Sequence, residues 1–440
     1  MDARADWYAG DMLGLPTPAH AKALRDGGVA WLTDAFRATG ALGYDNKVAA
    51  ITRFEEKLGG GTGRKLLLSV AYAKPDPALP VDLFVKFSRD YDDDFRDSLK
   101  SQMGPEVQFA LLSRAPEFPA TVARCMYADL HAASGTAVLI TERIPFGQHG
   151  IEPAYEKCLD HELSRPLDHY KALLKAVARL AGGHRAGRVP AAVARHFPFA
   201  MERIGFMAPM PYRADQLQRR LDRYAGFAAR HPRLIPAHIR TPEFLAGVSA
   251  TIPRVLAHEA AIKAFLHGDP RLIALCHWNA NVDNAWFWRG ADGELECGLL
   301  DWGGVGQMSV SLALYGCLSA ADPELWDAHL DELLALFAAE YHRSGGPQVA
   351  AADLKRHLQL MTLVMGLAWL MDAPAVIEKE LPGLAADATR FDPAFRGNET
   401  ARMRLHMITM FMHQWARQDF GAVVDDFVRG LEAAERAAAR

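Results

Sequence analysis

The chain has 440 residues, half of them apolar, and a formal net charge of −4. Such a length allows two or three domains with a sizeable core, and a weakly acidic balance without a basic stripe offers no footprint for nucleic acid. The five cysteines, Cys125, Cys158, Cys276, Cys297 and Cys317, are odd in number and form no C-x-x-C pair, which argues against a disulfide framework or a zinc site and for a reduced, cytoplasmic setting.

Met1 to Gly10 carries acidic residues and no apolar run behind a basic segment, so no signal peptide is expected. The most apolar stretch, Leu360 to Met371, is short of the roughly 18 residues of a membrane span and reads as a buried helix, so no membrane partner is expected. The first predicted element follows Thr17-Pro18, a helix with Val29, Leu32, Phe36 and Leu42 on one side. The period then changes. Val48 to Leu58, Leu66 to Tyr72 and Val81 to Phe87 read as strands, with the turn Gly59-Gly60-Gly61-Thr62-Gly63 between the first two. Amides at Gly60, Gly61 and Gly63 can approach phosphates because no side chain intervenes, although an ordinary hairpin uses the same residues. Lys86 stands in the apolar run Leu83 to Phe87, where an ammonium is costly unless it is paired or turned to solvent at an edge. A helix predicted to start near Gly104-Pro105 offers Glu106 as its partner. Ala137 to Ile140 reads as a further strand, passing through Glu142 and Arg143 into a linker at Ile144.

Helical periodicity marks Pro166 to His184, Tyr212 to His231, one or two helices within 241–266, and then Pro323 to Tyr341, Ala351 to Met371, Thr400 to Gln418 and Val423 to Ala438. His184 reads as a packed or capping residue. Asp322, Glu324, Asp327, Asp331 and Glu332 surround Leu325, Leu330, Leu333 and Phe337. They read as the solvated face of an amphipathic helix, the alternative being attraction for a cationic small molecule.

The most informative stretch is His277-Trp278-Asn279, followed by Asn284, a hairpin reversing at Gly290-Ala291-Asp292-Gly293, and Leu300-Asp301-Trp302-Gly303. A second tripeptide, His267-Gly268-Asp269, competes with it, but five residues after Asp269 stands Ala274. Registration on His277 keeps both the asparagine and the hairpin, so His267 to Pro270 is expected to close the preceding helix.

The glycine turn, Lys86, Glu106, the strand and linker from Val138 to Ile144, the loop from His277 to Asn284 and Asp301-Trp302-Gly303 follow one another in a telling order. Over roughly residues 45–320 the chain resembles the aminoglycoside phosphotransferase and choline or ecdysteroid kinase group of the protein-kinase-like superfamily. The resemblance implies an α+β, bilobal protein-kinase-like fold. Residues 1–143 would form an N-terminal antiparallel-sheet lobe with one main helix, 1–44 being a helical leader, and 144–440 a larger, mostly helical lobe. It also implies ATP, with Lys86 paired to Glu106 on the α- and β-phosphates, Gly60, Gly61 and Gly63 over them, and the backbone around Glu142 and Ile144 on adenine. Magnesium falls to Asn284 and Asp301, and the acceptor is a hydroxyl of a small molecule.

One position departs from the pattern: Asn279 stands where such enzymes carry an aspartate. A carboxamide has no useful basicity and can only orient an acceptor, His277 is expected to brace the loop backbone, and Asp283 to point away. General-base help is typically worth about 10²- to 10⁴-fold. Its loss leaves two expectations, a slow small-molecule kinase or a nucleotide-binding pseudokinase serving as a binding or regulatory module. A scaffold that binds no nucleotide would have no need of buried charges at Lys86 and Glu106.

Overall fold

A computed structural model describes residues 5–57, 63–200 and 209–438. The chain divides into two compact units. One comprises Met1–Pro153, Gly187–Pro198 and Trp286–Gly306, the other Ala154–Ala186, Phe199–Ala285 and Gln307–Arg440.

In the first unit, strands β1 (Val48–Lys57), β2 (Arg64–Tyr72), β3 (Asp82–Phe87), β4 (Cys125–His131) and β5 (Thr136–Glu142) form one antiparallel sheet in the order β1-β2-β3-β5-β4. Because successive side chains alternate between faces, the sheet has two different sides. Leu66, Leu68 and Val70 of β2 and Leu83, Val85 and Phe87 of β3 pack with Leu24, Leu32 and Phe36 of helix α1 (Ala21–Ala38). On the other side Ala137 and Leu139 of β5 pack with Val107 and Ala110 of helix α2 (Gly104–Leu112). The alternate positions of the apolar strands are thus left for Lys65 and Lys86, which stand opposite each other in the β2–β3 register.

Val29 is 37% exposed, off the apolar side of α1, because Gly28 takes a φ of +56° and breaks the helical period there. Leu42 is buried but lies beyond the helix end. Gly60 and Gly61 lie outside the described residues. Gly63 has a φ of +54°, and a Cβ on it would stand 1.8 Å from the Phe87 carbonyl oxygen, so a side chain there is excluded by both conformation and space.

The second unit is mostly helical. Its main helices are α3 (Pro166–Arg185), α4 (Ala214–Arg230), α5 (Pro242–Ala257), α6 (Glu259–Gly268), α7 (Val310–Leu318), α8 (Pro323–Arg343), α9 (Ala351–Trp369), α10 (Glu399–Arg417) and α11 (Phe420–Ala438). The apolar stripe of α3, Leu173, Val177 and Leu180, is fully buried, and α8 runs along this helix. Among the described residues no single helix is long and apolar enough to cross a membrane. Helix α6 runs through His267 to Gly268, and Asp269 caps the turn Pro270–Leu272 by accepting the Arg271 N–H at 2.9 Å. The buried strand Ile273–His277 follows.

Glu324, Asp327, Asp331 and Glu332 are exposed around buried Leu325, Leu330, Leu333 and Phe337, the solvated face expected of α8, and several of its acids also pair with residues of other segments. Asp322 pairs with Arg390 at 2.6 Å, Asp327 with His413 at 3.0 Å and Arg417 at 3.3 Å, Asp331 with Lys355 at 2.7 Å, and Glu332 with Lys171. A five-stranded antiparallel sheet with one main helix on its lysine side and a separate, mostly helical unit are the two parts that the α+β kinase-like expectation requires.

Candidate active site

The first unit assembles a charged cluster on the α2 side of the sheet. Lys86 Nζ lies 2.8 and 3.1 Å from the two Glu106 carboxylate oxygens and 3.1 Å from Asp301 Oδ1. Burial by itself would lower the Lys86 ammonium. Glu106 and then Asp301 outweigh it and hold the group above its usual value. Glu106 is buried too, and burial pushes its carboxyl up against the opposing pull of Lys86.

Helix α2 fixes the segment that carries Asp301. The Trp302 backbone N–H bonds the Glu106 carboxylate, while the Trp302 ring stacks on Phe109 with centroids 4.0 Å apart. Glu106 and Phe109 are three residues apart and therefore share one helix face. Asp301 has a φ of +60°, a left-handed conformation that non-glycine residues take rarely and that tends to mark functional sites. Its side chain remains about half exposed, at 52%.

Lys65 completes this patch. Burial first, and the facing Lys86 next, lower its ammonium below the usual value, with Asp301 and Glu106 opposing them, so two cations stand together beside two carboxylates. At the sequence level Arg64-Lys65 looks like the exposed flank of a strand, and the only available signal is an alternation that matches Lys86 once the β2–β3 register is known. Glu142 and Ile144 serve local structure through the groups that bond: Glu142 Oε1 accepts the Arg124 N–H at 2.8 Å, and the Ile144 carbonyl accepts from Phe146 at 3.0 Å.

In the second unit the strand Ile273–His277 delivers the loop that holds the three sequence-predicted residues. His277 is fully buried, and its Nδ1 accepts the Asn279 N–H at 3.1 Å. Asn281 Nδ2 donates to Asn279 Oδ1 at 2.8 Å, and Ser319 Oγ donates to Asn281 Oδ1 at 3.2 Å. This relay occupies the oxygen of the Asn279 carboxamide and leaves its amino group to donate. Asn284 Nδ2 donates to the Asn279 carbonyl at 2.9 Å, so its side-chain oxygen is the atom suited to a metal. Asp283 turns instead to Lys157 at 3.3 Å.

Asn281, Ser319, Lys157 and Gly316 were not legible as site residues. A Cβ on Gly316, in α7, would stand 1.4 Å from the Trp278 carbonyl oxygen, so α7 lies directly on the loop backbone. Cys317 Sγ adds a bond to the Ala280 carbonyl at 3.1 Å. His184 Nδ1 accepts the Leu275 N–H at 3.2 Å, tying α3 to the strand Ile273–His277. An aspartate carboxylate and an asparagine oxygen suit magnesium, which takes few protein groups together with phosphate oxygens, and paired lysines suit phosphate. Among the described residues no group of three or more His, Cys, Asp or Glu gathers for a metal.

No protein-family model matches the chain, and no curated protein does. Among solved structures, it is similar to a microcompartment-associated aminopropanol kinase at 13% identity and a TM-score of 0.46, over 84% of this chain and 94% of that one. A choline kinase from Cryptosporidium parvum is 10% identical with a TM-score of 0.44, over 84% and 91% of the two chains. A choline/ethanolamine kinase family protein from Mesorhizobium loti is 15% identical with a TM-score of 0.40, over 89% and 98%. All three carry the names of small-molecule kinases.

Proposed function

We propose that this chain is a phosphotransferase that moves the terminal phosphoryl group of ATP to a hydroxyl of a small molecule. The observation that carries the reading is Lys86, a buried ammonium bonded to Glu106 and Asp301 with Lys65 opposite it. Replacing a buried ion pair by well-packed apolar groups is often neutral or stabilising, so a cluster of two lysines and two carboxylates is explained by an anionic ligand better than by packing. In this reading Lys86 and Lys65 hold the phosphates and Glu106 positions Lys86. Asn284 and Asp301 are the protein ligands of magnesium, an assignment taken from the sequence spacing. The metal, when bound, neutralises charge on the phosphates. His277 holds the loop, and the Asn279 amino group orients the acceptor hydroxyl.

One observation favours a second reading, a nucleotide-binding module without transfer. Asn281 bonds the side-chain oxygen of Asn279, and a carboxamide has no useful basicity, so nothing at that position takes the hydroxyl proton. Without base assistance a slow reaction remains, since positioning and electrostatics carry most of phosphoryl transfer.

Magnesium-ATP should raise the melting temperature of the native protein, and Asp301→Ala should abolish the shift. No shift in the native protein overturns both readings. Asn279→Asp keeps an oxygen for Asn281 and adds a basic one, so it should increase phosphoryl transfer or ATP hydrolysis. A rate that stays at zero with a broad acceptor panel selects the binding module.

A further inference from the structure

A cavity of about 710 Å³ opens within the second unit. Its walls come from the segment around Cys158 to His161, the loop 232–240, the start of α8, and helix α10 with the loop before it. Four arginines line it, Arg233, Arg240, Arg390 and Arg402, against one carboxylate, Glu324. Arg390 is neutralised by Asp322 at 2.6 Å, and Asp160 accepts the Tyr170 hydroxyl at 2.7 Å. Arg402 is spent on the carbonyls of Lys157, Phe395 and Arg396 and pairs with Glu156 at 3.5 Å, so the positive excess over Glu324 comes from Arg233 and Arg240, exposed at the cavity rim. An excess of positive charge on low-dielectric walls attracts an anion.

The floor adds a second requirement. His406 Nε2 and Thr409 Oγ1, one turn apart on α10, are buried atoms without a hydrogen-bond partner, and both residues line this cavity. A buried polar group left unsatisfied is destabilising unless a ligand meets it. Burial lowers His406 to about 4, so the ring is neutral, and it bonds the Ala321 backbone. A neutral imidazole that donates through one nitrogen offers the other as an acceptor. Its complement is an O–H group. Leu159, Phe395, Leu405 and Met410 supply an apolar wall.

We infer that this cavity binds a small organic anion that also carries a hydroxyl and an apolar body, in chemical class a hydroxy acid. Arg233 and Arg240 meet the acid group, His406 and Thr409 meet the hydroxyl, and the apolar wall meets the carbon skeleton. The site does not depend on phosphoryl transfer and is tested without it.

Calorimetry on the full chain without nucleotide would use 3-phenyllactate as the probe, 3-phenylpropionate as the analogue lacking the hydroxyl, and choline as the cationic control. One saturable site is expected, with 3-phenyllactate bound about 10-fold more tightly than 3-phenylpropionate, no choline binding, and no displacement by magnesium-ATP. Arg233→Glu combined with Arg240→Glu changes exposed positions only and should weaken both probes, while His406→Phe should erase the difference between them. The proposal is overturned if neither probe gives saturable heat up to about 10 mM, if choline binds in their place, if magnesium-ATP displaces them, or if the charge-reversed variant binds them unchanged.

Discussion

Asp160 is 6% exposed and accepts the Tyr170 hydroxyl in the interior of the helical unit. Burial first, and the charges of Asp283 and Asp322 next, push its carboxyl up to about 7 from the ordinary 3.8, with the Tyr170 bond opposing them. In the unfolded chain Asp160 gives up its proton near the ordinary value, whereas the folded protein retains it to about pH 7. Between those limits ionisation favours the unfolded state, so the stability present at low pH is lost as pH rises and the loss levels off above about pH 7. At about 1.4 kcal/mol per pH unit, the full loss is about 4 kcal/mol. Asp160→Asn preserves an acceptor for Tyr170 and cannot ionise. Urea unfolding followed by tryptophan fluorescence should therefore show the variant losing about 2–3 kcal/mol less than the native protein between about pH 5 and about pH 8. Parallel pH dependences in the two proteins would show that Asp160 is ionised in the folded state and refute the reasoning.

Other residues give equally direct outcomes. Gly316→Ala, whose Cβ meets the Trp278 carbonyl oxygen at 1.4 Å, should destabilise the protein by about 1–3 kcal/mol in denaturant melts; an unchanged midpoint would mean that the loop yields without strain. Lys65→Met should fold normally by circular dichroism and weaken magnesium-ATP about 10-fold in calorimetry, and an unchanged affinity would remove Lys65 from the phosphate patch. Glu106→Gln leaves Lys86 without its closest carboxylate and should cost about 3–5 kcal/mol, read by the same melts. Chelation of magnesium should cancel the nucleotide-induced rise in melting temperature if the metal bridges protein and phosphate.

Much of the sheet unit was legible because a strand's period of two is local. Lys86 interrupts an apolar run, and an interior ammonium demands a carboxylate, which pointed to Glu106 before any distance was known. The loop was legible for a related reason: the interval from His277 to Asn284 and the hairpin to Asp301 are properties of the chain order. What escaped depends on contacts between distant segments. Lys65 acquires meaning only through its register with Lys86, and Gly316 only through the approach of α7 to Trp278. The α8 carboxylates have the spacing of a solvated face, and nothing in that spacing announces Arg390, His413 or Lys355 as partners. Val29 fits the helical period on paper and leaves it because Gly28 accepts a left-handed backbone.

The leader helix decides where this protein can be cut. Leu24, Leu32 and Phe36 of α1 are fully buried in the same cluster as the inner residues of β2 and β3. A fragment starting at β1 would expose that apolar side to water, inviting self-association through the bared sheet. Residues that precede β1 in the sequence are therefore a structural part of the sheet unit, and a stably folded fragment has to begin upstream of Ala21.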